Sequence, residues 1–277
     1  MFIRFIICLF LFPLAASCQT SIDQEILNQY FQDSEECNCS PIIKTALYFV
    51  NTPYVAGTLE KNEGKEEKLI INLREMDCTT FVEYCLAISQ IESAHENPTY
   101  ELFSKQLQKI RYRNGIIEDY SSRLHYISDW LINNEEMGLI INETNLISDK
   151  LLHINVNYMS SHPQYYPALK SNPGLIAKIK KQEEAINQAL SSYFFIPKED
   201  INQKSTEINS GDIVFFTTAI QGLDVQHAGI AYHHNGIVGF IHASSKAGNV
   251  IIEPVSIADY CAKQKNITGI LIATPVY

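Results

Sequence analysis

The chain has 277 residues, 46% hydrophobic and 19% charged, enough apolar material for the core of one large domain or two small ones. Its formal charge of -10, with no run of Lys or Arg, argues against nucleic acid or an anionic membrane surface as an electrostatic partner. A small molecule, or a polymer without dense phosphate, suits that charge.

Residues 1–18 read as a secretory signal: Arg4 is the basic start, FIICLFLFPLAA the apolar run, and AASC the small-residue end. The run is too short to span a bilayer permanently. Leu14-Ala15-Ala16-Ser17-Cys18 also resembles a bacterial lipobox, which implies Cys18 as the lipidated first residue of a mature chain. Ordinary cleavage near Gln19 is the alternative. Both imply export, to the periplasm or as an outer-membrane lipoprotein, with membrane attachment only through Cys18. Five cysteines then remain in a disulfide-permissive compartment: Cys37, Cys39, Cys78, Cys85 and Cys261. Because five is odd, at least one thiol stays outside any intramolecular pairing. Cys37 and Cys39 are too close to bridge comfortably to each other, and the connectivity stays open.

After the signal, IDQEILNQYFQ reads as a short helix and PIIKTALYFV as a second, stopped at Asn51-Thr52-Pro53 because Pro cannot continue it. A polar loop leads to a strand-like run, Lys68 to Leu73. CTTFVEYCLAISQIESA carries a helical apolar stripe behind the capping residue Asp77, so Cys78 opens the helix and Cys85 lies in the stripe. YELFSKQLQKIRYRNG and SSRLHYISDWLINNEEMG read as two more helices with Gly near their ends. The segment 141–167 is mixed, and PGLIAKIKKQEEAINQALSSYFFIP is helical with Pro near its start. Then the texture changes. GDIVFFTTA, VQHAGIAYHH, GIVGFIHASS, NVIIEPVS and GILIATPVY are β-rich runs, mostly divided by Gly- and Asn-containing turns, the pattern of an antiparallel sheet. Helices first and strands later indicate an α+β fold.

A helix start favours a thiolate, because unpaired N–H groups and the helix dipole stabilise negative charge there. Cys78 has that position and Cys85 does not. A nucleophilic thiol needs a general base held by a third group, and two neighbouring strands can deliver His227 and His242 side by side. His227 would then take the thiol proton while His242 fixes its tautomer. As metal ligands His233 and His234 are misplaced beside them, because alternate strand positions face opposite sides. The expectation is therefore no metal and no cofactor.

Asp77-Cys78-Thr79-Thr80-Phe81, the strand Ser210-Gly211-Asp212-Ile213-Val214-Phe215-Phe216, then His227-Ala228-Gly229-Ile230 and a further strand with His242 resemble the NlpC-type papain-like cysteine hydrolases of bacterial cell walls. The resemblance covers mostly residues 45–90 and 205–277. It implies a papain-like core, a catalytic helix packed on an antiparallel sheet or barrel, in one domain over 19–277. From Cys78 to His227 is 149 positions (227 − 78), so a helical insertion over about residues 95–204 is expected. Tyr120–Tyr126, Asp129-Trp130 and Ile241–Ser245 are similar to a narrower branch, the N-acetylmuramoyl-L-alanine amidases of muropeptides.

That resemblance implies a cysteine-type amidase cutting the amide between N-acetylmuramic acid and L-Ala in small peptidoglycan fragments, acting as a monomer. Cys78, His227 and His242 would be catalytic, and Tyr54 with the Cys78 N–H would hold the oxyanion. Asp77 would support the site or simply cap the helix. Arg123 is a candidate for a stem-peptide carboxylate, and Tyr126 and Trp130 for packing on a sugar. The rival readings are an endopeptidase cutting between D-Glu and the diamino acid, a non-catalytic murein-binding lipoprotein, and a zinc hydrolase.

Overall fold

A computed structural model describes residues 14–32, 39–60, 66–94, 97–170 and 172–277, with side chains from residue 22 onward. The signal and the lipidation expectation at Cys18 therefore fall outside the described side chains, as does Cys37. Among the described residues, no helix is long and apolar enough to cross a membrane.

The chain opens with helices α1 (Leu14–Gln32), α2 (Pro41–Tyr48), α3 (Cys78–Ala94), α4 (Tyr100–Arg111) and α5 (Ile127–Glu136). The short strand β1 (Ile140–Asn142) and the single turns α6 (Thr144–Ile147) and α7 (Tyr158–Ser161) follow, then the long α8 (Pro173–Ala189). After β2 (Ile196–Pro197) and α9 (Ile201–Lys204) come β3 (Ile213–Thr218), β4 (Val225–His234), β5 (Ile237–Ser244) and β6 (Asn249–Ile252). The chain ends with α10 (Ile257–Lys263) and β7 (Ile267–Pro275). The seven strands form one antiparallel sheet in the order β1-β7-β3-β4-β5-β6, with β2 also on β7. This is the α+β architecture expected.

Local chemistry explains the main boundaries. Pro41 and Pro173 each stand in the first turn of a helix, where a missing N–H costs no hydrogen bond. Thr99 and Asn172 cap α4 and α8 by accepting from the N–H groups of Leu102 and Leu175. Asn51, with φ 74°, turns the chain out of α2 in the left-handed region that Asn tolerates.

Both faces of the sheet are covered, and the strands alternate between two cores. Ile213 and Phe215 of β3, with Leu271 and Ala273 of β7, face the large core shared with α2, α3, α4 and α5. Val214 and Phe216, with Ile270 and Ile272, face a smaller core closed by Ile201, Ile208, Ile257 and Cys261. Cys261 is a buried free thiol there, and Cys39 is disulfide-bonded to a partner outside the described residues.

Two expected elements differ. Lys68–Leu73 is not a strand, because side chains satisfy its backbone: Arg111 donates to the Ile70 carbonyl, Tyr112 to that of Lys68, and the Asn72 and Leu73 N–H groups donate to Tyr84 and Asp23. The helix expected from Ser121 begins only at Ile127. Arg123 lies in an extended stretch bridged to Tyr112, so Arg123, Tyr126 and Trp130 do not share one helix face.

Arg111 anchors that stretch. It is 1% exposed and donates from Nε to Glu83 Oε2 at 2.7 Å, joining α4, α3 and the 68–73 segment. Burial disfavours both charges, and their pairing holds both. Arg111→Met should lower the unfolding free energy by about 3–5 kcal/mol by stranding the Glu83 charge. Adding Glu83→Gln should recover much of that loss in chemical denaturation.

Candidate active site

The helix start at Cys78 is built by its neighbour. Asp77 Oδ1 accepts from the Thr80 N–H at 2.9 Å and from the Thr80 hydroxyl at 2.9 Å, while the Asp77 N–H donates to Thr80 Oγ1 at 2.9 Å. This reciprocal cap leaves Cys78 at the first helical position, with its side chain partly accessible. Helix α3 packs on β4 and β5, which brings Ala228 of β4, together with the neighbouring Thr79, close enough to Cys78 Sγ to favour its charged form.

The sheet is irregular at that point. Between β3 and β4, Phe216 pairs with His227 but Thr217 pairs with Val225, so Gln226 is the extra residue of a bulge. Val225 and Ala228, three positions apart, consequently both pack on the large core. His227 turns toward Phe216 of the smaller one. Pairing of β4 with β5 runs from His234/Ile237 to Ile230/Ile241 and stops there. Gly229 permits the crossing that follows: a Cβ on it would lie 2.7 Å from the Phe240 ring, 2.9 Å from the Ile241 carbonyl and 3.2 Å from His242 Cβ.

The two histidines meet across this crossing. His227 Nε2 lies 2.5 Å from His242 Nδ1, the rings nearly perpendicular at 83°. His242 is 1% exposed, and its Nε2 reaches Glu253 Oε2 at 3.2 Å. Phe216, Phe240 and Tyr260 surround the pair. Desolvation by this aromatic wall pushes His227 down to about 4, and desolvation together with His227 pushes His242 down to about 3. Both rings are thus neutral at pH 7, and the contact with Glu253 is a hydrogen bond from a neutral ring rather than an ion pair.

Burial, aided by the Asp77 charge, pushes the Cys78 thiol up to about 11, against the smaller opposing influence of Ala228 and Thr79. This corrects the expectation of a thiolate stabilised by the helix start: here desolvation outweighs it, so the resting pair is thiol and neutral imidazole. Cys85 is buried in the core and raised further by burial alone.

Cys78, Thr79 and His227 open into one cavity of about 310 Å³, walled by Tyr120, His125, Tyr126, Tyr165 and Tyr166. Glu60 and Asp224 also line it, and neither carboxylate is free. Glu60 accepts from Arg123, and Asp224 accepts from the Ser128 N–H and hydroxyl and the Val225 N–H. Tyr54 is set beside the thiol because its N–H donates to the Gly248 carbonyl while its neighbours Pro53 and Val55 are hydrogen-bonded to Met76.

The substrate-binding expectations fare differently. Arg123 is 7% exposed and spent on Glu67 and Glu60, so its guanidinium is a structural clamp and not a free carboxylate ligand. Trp130 is 1% exposed and packs edge-on against Phe215, out of reach of a sugar. Tyr126 does line the cavity, with its hydroxyl committed to Glu183 at 2.8 Å. Glu253 carried no signal in the sequence, His125 lies in the Tyr120–Tyr126 stretch that resembles the amidase branch without a role implied for it, and Tyr165 and Tyr166 fall in the mixed segment 141–167. Among the described residues no His, Cys, Asp and Glu group is disposed to hold a metal ion. His233 and His234 donate to the carbonyls of Ile208 and Glu253.

An α+β chain with a thiol and an imidazole lining one cavity, and a second imidazole bonded to the first, has the construction of a hydrolase, and the comparisons define which kind. A family described as AmiA-like, N-acetylmuramoyl-L-alanine amidase-like, matches residues 44–270, and the chain belongs to that family. The chain is similar to an N-acetylmuramoyl-L-alanine amidase of Bacteroides uniformis, with 36% identity over 86% of this chain and 100% of that one and a TM-score of 0.78. It is also similar to a Bacteroides fragilis protein provisionally named a xylanase, with 40% identity over 83% and 98% of the two chains and a TM-score of 0.77. A Legionella pneumophila protein of family DUF1460, 21% identical over 95% and 97% of the chains, shares the fold with a TM-score of 0.70. Curated proteins yield no match. These findings overturn the NlpC-type assignment. The short Asp-Cys and His-x-Gly-Ile motifs reflect the local needs of a thiol and a strand imidazole, whereas the family match runs through the helical segment between them. The amidase naming stands and the superfamily does not; the papain-like core expected with it falls away.

Asp77→Asn keeps a capping oxygen and removes a negative charge beside Sγ. The thiol should therefore titrate lower, and alkylation of Cys78 by iodoacetamide at pH 8 should run faster than in the parent protein.

Proposed function

We propose that the chain is a cysteine-type amidase of peptidoglycan fragments that cuts the amide between N-acetylmuramic acid and L-Ala. The observation that carries this reading is that Cys78 and His227, the latter bonded to His242, line one cavity in a member of an amidase-like family. Cys78 attacks the lactyl carbonyl while His227 takes the thiol proton, so the thiolate never has to exist alone in its buried site. His227 returns that proton to the leaving amine of L-Ala. Water, deprotonated by the same ring, then resolves the thioester. The Cys78 N–H and the Tyr54 hydroxyl serve as the donors to the developing oxyanion in this reading.

The xylanase name of one relative suggests glycoside cleavage, which needs two carboxyl groups flanking the bond. Glu60 and Asp224, the cavity's two carboxylates, are both committed to other groups, and this favours amide cleavage. We further propose export through residues 1–18, with Cys18 as the lipid anchor, and action by single chains on soluble fragments within a domain spanning residues 19–277.

Digestion of a defined muropeptide with mass analysis of the products tests the bond. Free peptide beginning with L-Ala together with intact muramyl sugar is expected; cleavage after D-Glu would replace this reading with the endopeptidase. Cys78→Ala should abolish hydrolysis without a change in thermal unfolding. In the parent, kcat/KM should fall as pH drops through about 4, where His227 gains a proton and ceases to be a base.

A further inference from the structure

Each imidazole of the pair has two nitrogens, and only one assignment of protons leaves a base facing the thiol. His227 uses Nε2 toward His242, so Nδ1 is the nitrogen left for Cys78. In one arrangement His227 Nε2–H donates to His242 Nδ1, and His227 Nδ1 carries a lone pair. In the other, His242 Nδ1–H donates to His227 Nε2, and His227 presents an N–H that cannot accept a proton. The hydrogen bond between the rings is the same length in both, so the pair by itself does not choose.

We propose that Glu253 is a positioning residue that sets the tautomers of both histidines and so makes His227 Nδ1 the general base. The proposal rests on the reading of Cys78 and His227 as the reacting pair. A carboxylate only accepts, so the 3.2 Å contact between His242 Nε2 and Glu253 Oε2 requires the proton on Nε2. A neutral His242 then has a bare Nδ1, and the bond with His227 Nε2 must be donated by His227. A neutral His227 in turn has a bare Nδ1. The order of donation is His227 to His242 to Glu253, with the only acceptor-only group at its end.

The fold holds Glu253 for this task. Immediately after β6, its N–H donates to the Phe240 carbonyl at 2.9 Å and its carbonyl accepts from His234 Nε2 at 3.2 Å. Its side chain is 14% exposed. Burial pushes its carboxyl up from the usual range, and the backbone of Val255, Lys246 in the turn between β5 and β6, and Lys263 on α10 oppose that push by favouring the ionised form. The remaining titratable groups around the chain are Tyr260 on α10 and Cys78 and Asp77 at the start of α3.

The test is long-range proton–nitrogen correlation spectroscopy of the full-length protein labelled with 15N-histidine, which reads tautomers without any substrate. At pH 7 the parent should show His227 and His242 both protonated on Nε2 only, with assignments from single His→Gln variants. Glu253→Ala should move part or all of the pair to Nδ1-protonated forms and lower kcat by roughly 10²-fold, the scale of losing a positioned base, while KM holds. Glu253→Gln, which can still accept through Oε1, should keep the parent tautomers and most of kcat. A parent His227 protonated on Nδ1, or a folded Glu253→Ala variant with parent tautomers, overturns the proposal. The expected spectra in a protein that leaves the muropeptide uncut would defeat the substrate reading and uphold the tautomer assignment.

Discussion

The site depends on one approach between chain segments that are remote in sequence, the start of α3 at Cys78 against β4 at Ala228. It requires a strand released from one side of its ladder and a helix whose first residue is a cysteine. The first condition arises because β4 stops pairing with β5 beyond Ile230. The second arises because Asp77 caps α3 one residue earlier. The bulge at Gln226 and the missing side chain of Gly229 then allow His227 and His242 to meet across the two strands.

Placing these groups in a dry setting has an energetic consequence. The aromatic wall that orients the imidazoles also removes their water, and both are neutral far below pH 7. The thiol is neutral for the same reason. A site of this kind holds uncharged partners at rest. Burial therefore does for the thiol the opposite of what a helix start alone would do, and the magnitude of desolvation decides the sign.

The helical half of the chain contributes the walls. Arg123, held by Glu60 and Glu67, ties the stretch before α5 to the segment near Thr58, and Asp224 holds the first turn of α5 against the start of β4. These clamps bring Tyr120, His125 and Tyr126 around the cavity from a region that carries no cysteine of its own. They also explain why a charged residue with good motif credentials, Arg123, has no charge to offer a ligand.

By itself the sequence determined the order of helices before strands, the start of α3 at Cys78, the division between Cys78 and Cys85, and the pairing of His227 with His242. Each follows from short-range physics: a capping Asp, an apolar stripe of helical period, and strands long enough to form a hairpin. Motif likeness did not determine the superfamily, because a few residues around a thiol recur wherever that chemistry is needed, while family membership is carried by the whole matched length. Only the tertiary structure decided that Lys68–Leu73 is held by side chains instead of a ladder, that Trp130 and Arg123 turn inward, and that Glu253 ends the histidine chain. Burial and partner choice are properties of the packed chain, and no local pattern in the residues encodes which carboxylate will meet which ring.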